Sequence, residues 1–168
     1  INEAVVHLLA YEQKKGNINH IHGYGKHGKD TFMQSLAENG VDPNNEHFII
    51  REYIDNMYTC MCASDLIITR AGAMTLTELM AIGRASILIP YPYAAENHQY
   101  YNALTLQNAN AGRIIDDKEL TGAVLIDTVT KLADDPELLK LMSENAAKLS
   151  KHDAAGVILR EITDLMGL

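Results

Sequence analysis

Three stretches of this sequence gather residue types that could do chemistry at short spacing. The first is Gly23-Tyr24-Gly25-Lys26-His27-Gly28, with the G-x-G-x-x-G spacing that lets a backbone approach a phosphate. Glu52 follows at roughly the distance of an acid that would hold a dinucleotide's ribose. A tight turn between a strand and a helix produces the same spacing, so both readings stand. The second stretch is Arg70-Ala71-Gly72-Ala73-Met74-Thr75-Leu76-Thr77-Glu78, a small-residue loop feeding a helix. Free N–H groups and the positive dipole end at a helix start suit a phosphate, and Glu78 lies where a carboxylate can reach a sugar diol. A capping box, with Thr75 as cap and Glu78 reaching back, accounts for the same residues, and the two readings are compatible. The third stretch runs from Pro90 to Asn102, where Pro90 and Pro92 stiffen a strand exit before a polar cluster. Glu96, Asn97, His98 and Gln99 supply donors and acceptors for sugar hydroxyls; Asn97 as a plain N-cap explains only one of the four.

Other signals are weaker. His20 and His22 share one face of a strand, but no third metal ligand is near them in sequence. Cys60 and Cys62 lack the spacing of a zinc knuckle and read as buried or half-buried thiols, with a reducing compartment as the default. The scattered methionines read as core fillers. Asp116-Asp117 and Asp134-Asp135 read as solvated caps at element ends.

The elements that must position these stretches follow from the apolar pattern. A helix opens the chain, with Asn2 as its cap and Ala4, Val5, Leu8 and Leu9 as its stripe, ending at Lys14, Lys15 and Gly16. Strands are expected at 18–22, 48–51, 65–69, 87–89 and 113–115. Helices are expected at 30–39 (stopped by Gly40), 55–63 (capped by Asp55), 75–82 (ended by Gly83) and 97–111 (ended by Gly112). From Thr121 to the end only helices are readable, with Pro136 in a first turn, Asp153 as a cap, and Ile158, Ile162 and Leu165 at helical spacing. The strands are short continuous apolar runs alternating with helices, which predicts an α/β fold, Rossmann-like, with a parallel sheet covered on both faces. Such units open with a strand, so a strand and its loop are expected to precede Ile1. One domain spanning residues 1–168 is predicted, its last helices (about 121–168) packing on or after the sheet.

Composition narrows the function. The 168 residues are 47% hydrophobic and 21% charged, a globular balance rather than a disordered one. Lys and Arg number 14 against 22 Asp and Glu, a net charge of −8, which argues against nucleic acid as a partner. The uncharged apolar stretch Ala85 to Ala95 is too short to span a membrane.

Together the second and third stretches resemble the MurG-type enzymes, bacterial glycosyltransferases of peptidoglycan synthesis. The resemblance is carried by 64–78, by Ile87-Leu-Ile-Pro-Tyr91 and by Glu96-Asn-His-Gln-Tyr-Tyr-Asn-Ala103. Arg51-Glu-Tyr-Ile-Asp-Asn-Met57 and Ala111-Gly-Arg-Ile-Ile115 fit in order and spacing. It implies the C-terminal, donor-binding half of a GT-B enzyme, acting at the cytoplasmic face of the membrane as a peripheral protein. The implied reaction moves N-acetylglucosamine from UDP-GlcNAc to lipid I, with inversion, to give lipid II. By the resemblance, the backbone at Ile54 meets uracil. Gly72, Ala73, Met74 and Thr75 line the diphosphate, Leu76 and Thr77 continue that segment, and Glu78 holds the ribose hydroxyls. His98, where relatives have Gln, and Gln99 face the sugar ring. No cofactor or metal is implied. No catalytic residue is assigned here, since acceptor and base belong to the N-terminal half, so the chain alone is expected to bind donor without turnover. Membrane contact is expected mainly through that other half. A sheet edge left uncovered could pair two copies into a homodimer. Two other readings are weighed: a separate donor subunit of another UDP-GlcNAc transferase docked on a membrane partner, and an NAD-binding module built on Gly23, Gly25 and Gly28.

Overall fold

The computed structural model describes residues 1–150 and 153–167. Helices and strands alternate through its first two-thirds: α1 Asn2–Lys15, β1 His20–Gly23, α2 Lys29–Glu38, β2 Phe48–Arg51, α3 Met57–Ala63, β3 Leu66–Thr69, α4 Ala73–Ile82, β4 Ala85–Leu88, α5 His98–Asn108 and β5 Gly112–Ile114. Three helices follow, α6 Gly122–Ala133, α7 Pro136–Lys148 and α8 Ala154–Met166. Short 3₁₀ turns at Lys26–Gly28, Ala95–Asn97 and Asp117–Glu119 precede α2, α5 and α6.

Every strand pair is parallel, as the continuous apolar runs predict. β1 pairs β2 with His20 opposite Phe48, and β3, β4 and β5 form a second ladder in that order, with Leu66 opposite Ala85 and Ser86 opposite Gly112. The two ladders share side-chain packing rather than hydrogen bonds. β4 shows why the sequence reads as buried on both faces. Ala85 and Ile87, with Ile89 just beyond, join Leu8, Leu9, Phe32, Ile50, Leu125 and Met142 in one cluster. Leu88 points the other way, into a cluster with Leu76, Leu79, Ala103, Leu106 and Ala146. Alternate side chains of one strand therefore feed two apolar layers, and truncating a buried leucine in either is expected to cost roughly 2–5 kcal/mol.

The stripe predicted on α1 is buried, and α1 lies against α6 so closely that a Cβ on Gly122 would fall 2.4 Å from the Cβ of His7. Glycine is required there for lack of room. Thr121 caps α6 by accepting from Val124 N at 3.2 Å, and Asp135 caps α7 by accepting from Leu138 N at 2.9 Å, with Pro136 in its first turn.

Several predicted ends move. Asn2 is inside α1, not its cap; its amide donates to Tyr24 O at 2.9 Å, since a partner across the fold outcompetes a local one. Asn56 rather than Asp55 occupies the cap position of α3, and its side chain accepts from Cys60 Sγ at 3.5 Å instead of capping. Gly112 does not end α5. Asn110 takes the left-handed conformation (φ 54°) that Asn tolerates, freeing Gly112 to open β5. Asp153 stands at the start of α8 but pairs with Arg160 at 3.0 Å and makes no side-chain cap. α8 keeps its helical spacing but buries none of its described residues; Ile158, Ile162 and Leu165 are exposed.

Candidate functional site

The segments that could do chemistry follow the carboxyl ends of parallel strands, where ligands bind in open α/β sheets. The best-formed one is the start of α4. Gly72 is the cap, extended at φ −68° and ψ 142°, and its carbonyl accepts the first helical bond from Leu76 N at 3.0 Å. Thr75 therefore lies inside the first turn, and the predicted Thr75–Glu78 capping box is not formed. No side chain caps the helix, so the N–H groups of Ala73, Met74 and Thr75 have no partner among the described residues. Such a group of donors at the positive end of a ten-residue helix is an anion site in waiting. Ala73 and Met74 are exposed, so nothing covers it.

The rest of the segment divides by depth. Leu76 is buried and serves the core, leaving only its backbone near the surface. The Thr77 hydroxyl donates to Ala73 O at 2.9 Å and is spent inside the helix. Glu78 is exposed farther along, its carboxylate not drawn back to the helix start. A carboxylate presented this way accepts two hydrogen bonds, which is what a ribose diol offers.

The third stretch is tied to this helix. Asn102 Nδ2 donates to Ala71 O at 3.3 Å, so α5 and the approach to α4 are held together. Gln99 Oε1 accepts from Tyr91 N at 2.9 Å and thereby fixes the strand exit. His98 is exposed, and its Nδ1 lies 2.8 Å from Ala95 O. A carbonyl only accepts, so Nδ1 carries a proton, and in the neutral ring Nε2 is left as an acceptor for a hydroxyl. Ahead of it Glu96 and Asn97 both adopt positive φ, 50° and 55°, a conformation rare outside glycine that turns the chain sharply into α5. Asn97 sits at the cap position without a side-chain cap bond.

Ile54 belongs to the exit of β2. It is half-buried against β1, its Cδ1 3.4 Å from where Gly23 would carry a Cβ, and its backbone makes no hydrogen bond among the described residues.

The glycine-rich loop after β1 behaves differently. Tyr24 N donates to Arg51 O and Gly25 N to Glu52 O, both at 3.0 Å, and Gly28 N donates to Gly25 O at 3.3 Å. These N–H groups are used up in joining the exits of β1 and β2, and the Tyr24 ring stacks on Phe32 at 5.4 Å. The loop itself is thus built as a structural turn, while α2 behind it begins, like α4, with no side-chain cap. Behind it, His20 Nδ1 meets the buried Glu12 carboxylate at 2.7 Å. His22 stacks on Phe32 and lies 3.2 Å from Asn2 Oδ1. Burial, with nearby His20, pushes the His22 imidazole down to about 4. No group of three His, Cys, Asp or Glu among the described residues could hold a metal ion.

Sequence reasoning gave no role to Arg70 and Asn102, which bound the second and third stretches, and read Asp117 as a surface acid. Asp117 is not a solvated cap; it accepts from Arg70 Nη1 at 2.5 Å. The available signal was an arginine leaving an apolar strand directly into a small-residue loop.

Parallel strands alternating with helices, and a bare helix start at the strand ends, are the features of a Rossmann-like α/β domain with an open ligand-binding end. The chain belongs to that class by sequence as well: residues 1–158 match the family described as glycosyltransferase family 28 C-terminal domain, and the chain is a member of it. Two curated relatives share the name UDP-N-acetylglucosamine--N-acetylmuramyl-(pentapeptide) pyrophosphoryl-undecaprenol N-acetylglucosamine transferase. The protein of Desulforamulus reducens is 38% identical over 99% of this chain and 45% of its own length. That of Halothermothrix orenii is 37% identical over 98% of this chain and 44% of its own. Among solved structures, Acinetobacter baumannii MurG superposes with a TM-score of 0.83 at 28% identity, over 97% of this chain and 45% of that one. The glycosyltransferase of kitacinnamycin, at 18% identity and a TM-score of 0.67, shares the fold. The chain thus spans less than half the length of the relatives it matches. Among the described residues no helix is long and apolar enough to cross a membrane.

Proposed function

We propose that residues 1–168 form the donor-binding domain of a transferase that moves N-acetylglucosamine from UDP-GlcNAc to lipid I in peptidoglycan synthesis. The observation that carries the reading is the start of α4, where the N–H groups of Ala73, Met74 and Thr75 stand unpartnered just after the Gly72 cap. In transfer from a nucleotide-sugar, negative charge grows on the departing diphosphate. Fixed backbone donors already aimed at that position stabilise it without reorganising. Glu78 takes the ribose hydroxyls, the free backbone at Ile54 takes uracil, and His98 Nε2 with the Gln99 side chain lies on the sugar side. The Gln99 amide nitrogen is the part left for the sugar, since its oxygen is occupied by Tyr91 N. Inverting transfer also needs a base for the acceptor hydroxyl. The residues of this site do not supply one, so base and lipid I belong to the remainder of the enzyme, which works peripherally at the cytoplasmic face of the membrane. The names of the curated relatives support the choice of sugar and acceptor.

The test is a titration with UDP-GlcNAc, UDP and UDP-glucose followed by calorimetry. UDP-GlcNAc and UDP should bind and UDP-glucose should bind less well. Silence toward UDP at millimolar concentration would end this reading.

A further inference from the structure

We infer that Arg70 is a positioning residue for the donor: one guanidinium registers the exits of β3, β4 and β5 and so fixes where the α4 donors point. The inference rests on the donor-site reading above. Arg70 leaves β3 directly before Ala71, two residues upstream of the Gly72 cap. Its Nη1 lies 3.2 Å from Ile89 O, 3.2 Å from Pro90 O and 2.5 Å from Asp117 Oδ1. The guanidinium carbon stands 5.5 Å from the centre of the Tyr91 ring. One side chain on the β3 exit thus touches the backbone leaving β4, the aromatic ring that follows, and the turn after β5.

Two of the acceptors are main-chain carbonyls, so what Arg70 fixes is backbone position. The same two segments are held again from α5, through Asn102 Nδ2 to Ala71 O and Tyr91 N to Gln99 Oε1. The chain around Gly72 is thereby gripped on both sides, leaving its orientation little freedom. The side chains of Arg70 and Asp117 are 34% and 31% exposed, too open for their attraction to contribute much to folding. The arrangement's consequence falls on geometry, where small displacements of binding groups have large effects. Lysine does not replace it, because one ammonium cannot both reach the Tyr91 ring and spread its donors in a plane toward three acceptors.

The experiment uses the full-length protein as its gene encodes it, with Arg70→Ala, Arg70→Lys, Asp117→Asn, Tyr91→Leu and the Arg70→Ala/Asp117→Asn double variant. UDP affinity, donor KM, lipid I KM and Tm are measured on each. Arg70→Ala should weaken UDP and raise donor KM about tenfold, with lipid I KM within about twofold and Tm little changed. Arg70→Lys should recover only a small part, and the double variant should be no worse than Arg70→Ala alone. UDP binding by Arg70→Ala equal to wild type overturns the inference, as does a loss in which donor KM, lipid I KM and Tm move together. If Arg70→Ala does not fold, Asp117→Asn and Tyr91→Leu decide: unaltered UDP affinity in both overturns it, and weakening in both supports it. Wild type that ignores UDP refutes the donor-site reading itself, whereas wild type that binds beside an equally competent Arg70→Ala refutes only the role of Arg70.

Discussion

Two loops at strand ends, one after β1 and one after β3, are both rich in small residues and both run into a helix without a side-chain cap, yet they spend their loop amide hydrogens differently. After β1, the N–H groups of Tyr24, Gly25 and Gly28 all have backbone partners. After β3, those of Ala73, Met74 and Thr75 have none. The loop with the better-known spacing ties its amides to the neighbouring strand exit, and the loop with a single glycine leads into the helix start we propose for the donor. A glycine pattern reports that a backbone can approach something closely. Whether that something is a phosphate or the next strand depends on where the amide hydrogens go.

The sharpest way to break this contrast is a charge at the start of α4. Ala73→Asp should weaken UDP binding by a hundredfold or more, on the order of 3 kcal/mol, because a carboxylate beside the diphosphate repels it. The same substitution should raise Tm slightly, since an acid in a first turn adds about 0.3–1 kcal/mol to a helix. Opposite signs for binding and stability, read by calorimetry and thermal melting, separate this from damage. Equal UDP affinity in the variant would place the phosphates elsewhere.

On the β1 side the charge that matters belongs to folding. His22 is held neutral, its value pushed from the ordinary 6.5 down to about 4 by burial and by His20, which itself meets Glu12. The unfolded chain therefore binds a proton that the folded one refuses between those values. Stability should be full above pH 6.5 and fall as pH drops toward 4, by roughly 2–3 kcal/mol. Urea melts across that range should show the loss, and His22→Gln should flatten it. UDP affinity at pH 6 to 8 should not follow it.

A smaller effect is expected at Glu78. Removing a carboxylate that accepts from a diol should cost about 1.5 kcal/mol, so Glu78→Ala should weaken UDP about tenfold with no change in Tm. The variant should also lose its preference for UDP over its 2′-deoxy analogue, and a retained preference would remove Glu78 from the ribose. Smallest of all, Gly25→Ala should leave UDP affinity within about twofold while destabilising the fold by roughly 1–2 kcal/mol, because Gly25 has φ 79°. A selective loss of binding in Gly25→Ala would erase the distinction between the two loops.

Much of this was readable beforehand. The strands were visible because apolar runs such as Leu66-Ile67-Ile68 face two buried layers, and the α4 start was visible because small residues precede a helical stripe. What could not be read was the choice between local and distant partners. Asn2, Asp55 and Thr75 are all good caps by type, and none caps. Asn2 is taken by Tyr24, Asn56 takes the position next to Asp55, and Gly72 starts α4 three residues early. Asp117 looked like one more surface acid until the β3 exit brought Arg70 to it. Within the site, Glu78, His98 and Gln99 were legible as polar groups beside strand ends, whereas Ile54 was singled out by resemblance alone. The structure adds that Leu76 and Thr77 offer no free side-chain group to a ligand.

The consecutive left-handed residues Glu96 and Asn97 bear on how this region would answer to engineering. Each is held in a shape its side chain disfavours by about 1–2 kcal/mol, and glycine in either place would release that tension. The released protein should melt later and hold His98 more loosely, because a glycine that fits this bend also fits many others. Sturdiness and aim are opposed at this corner, and selecting for heat resistance alone would draw the end of the molecule that carries His98 out of focus.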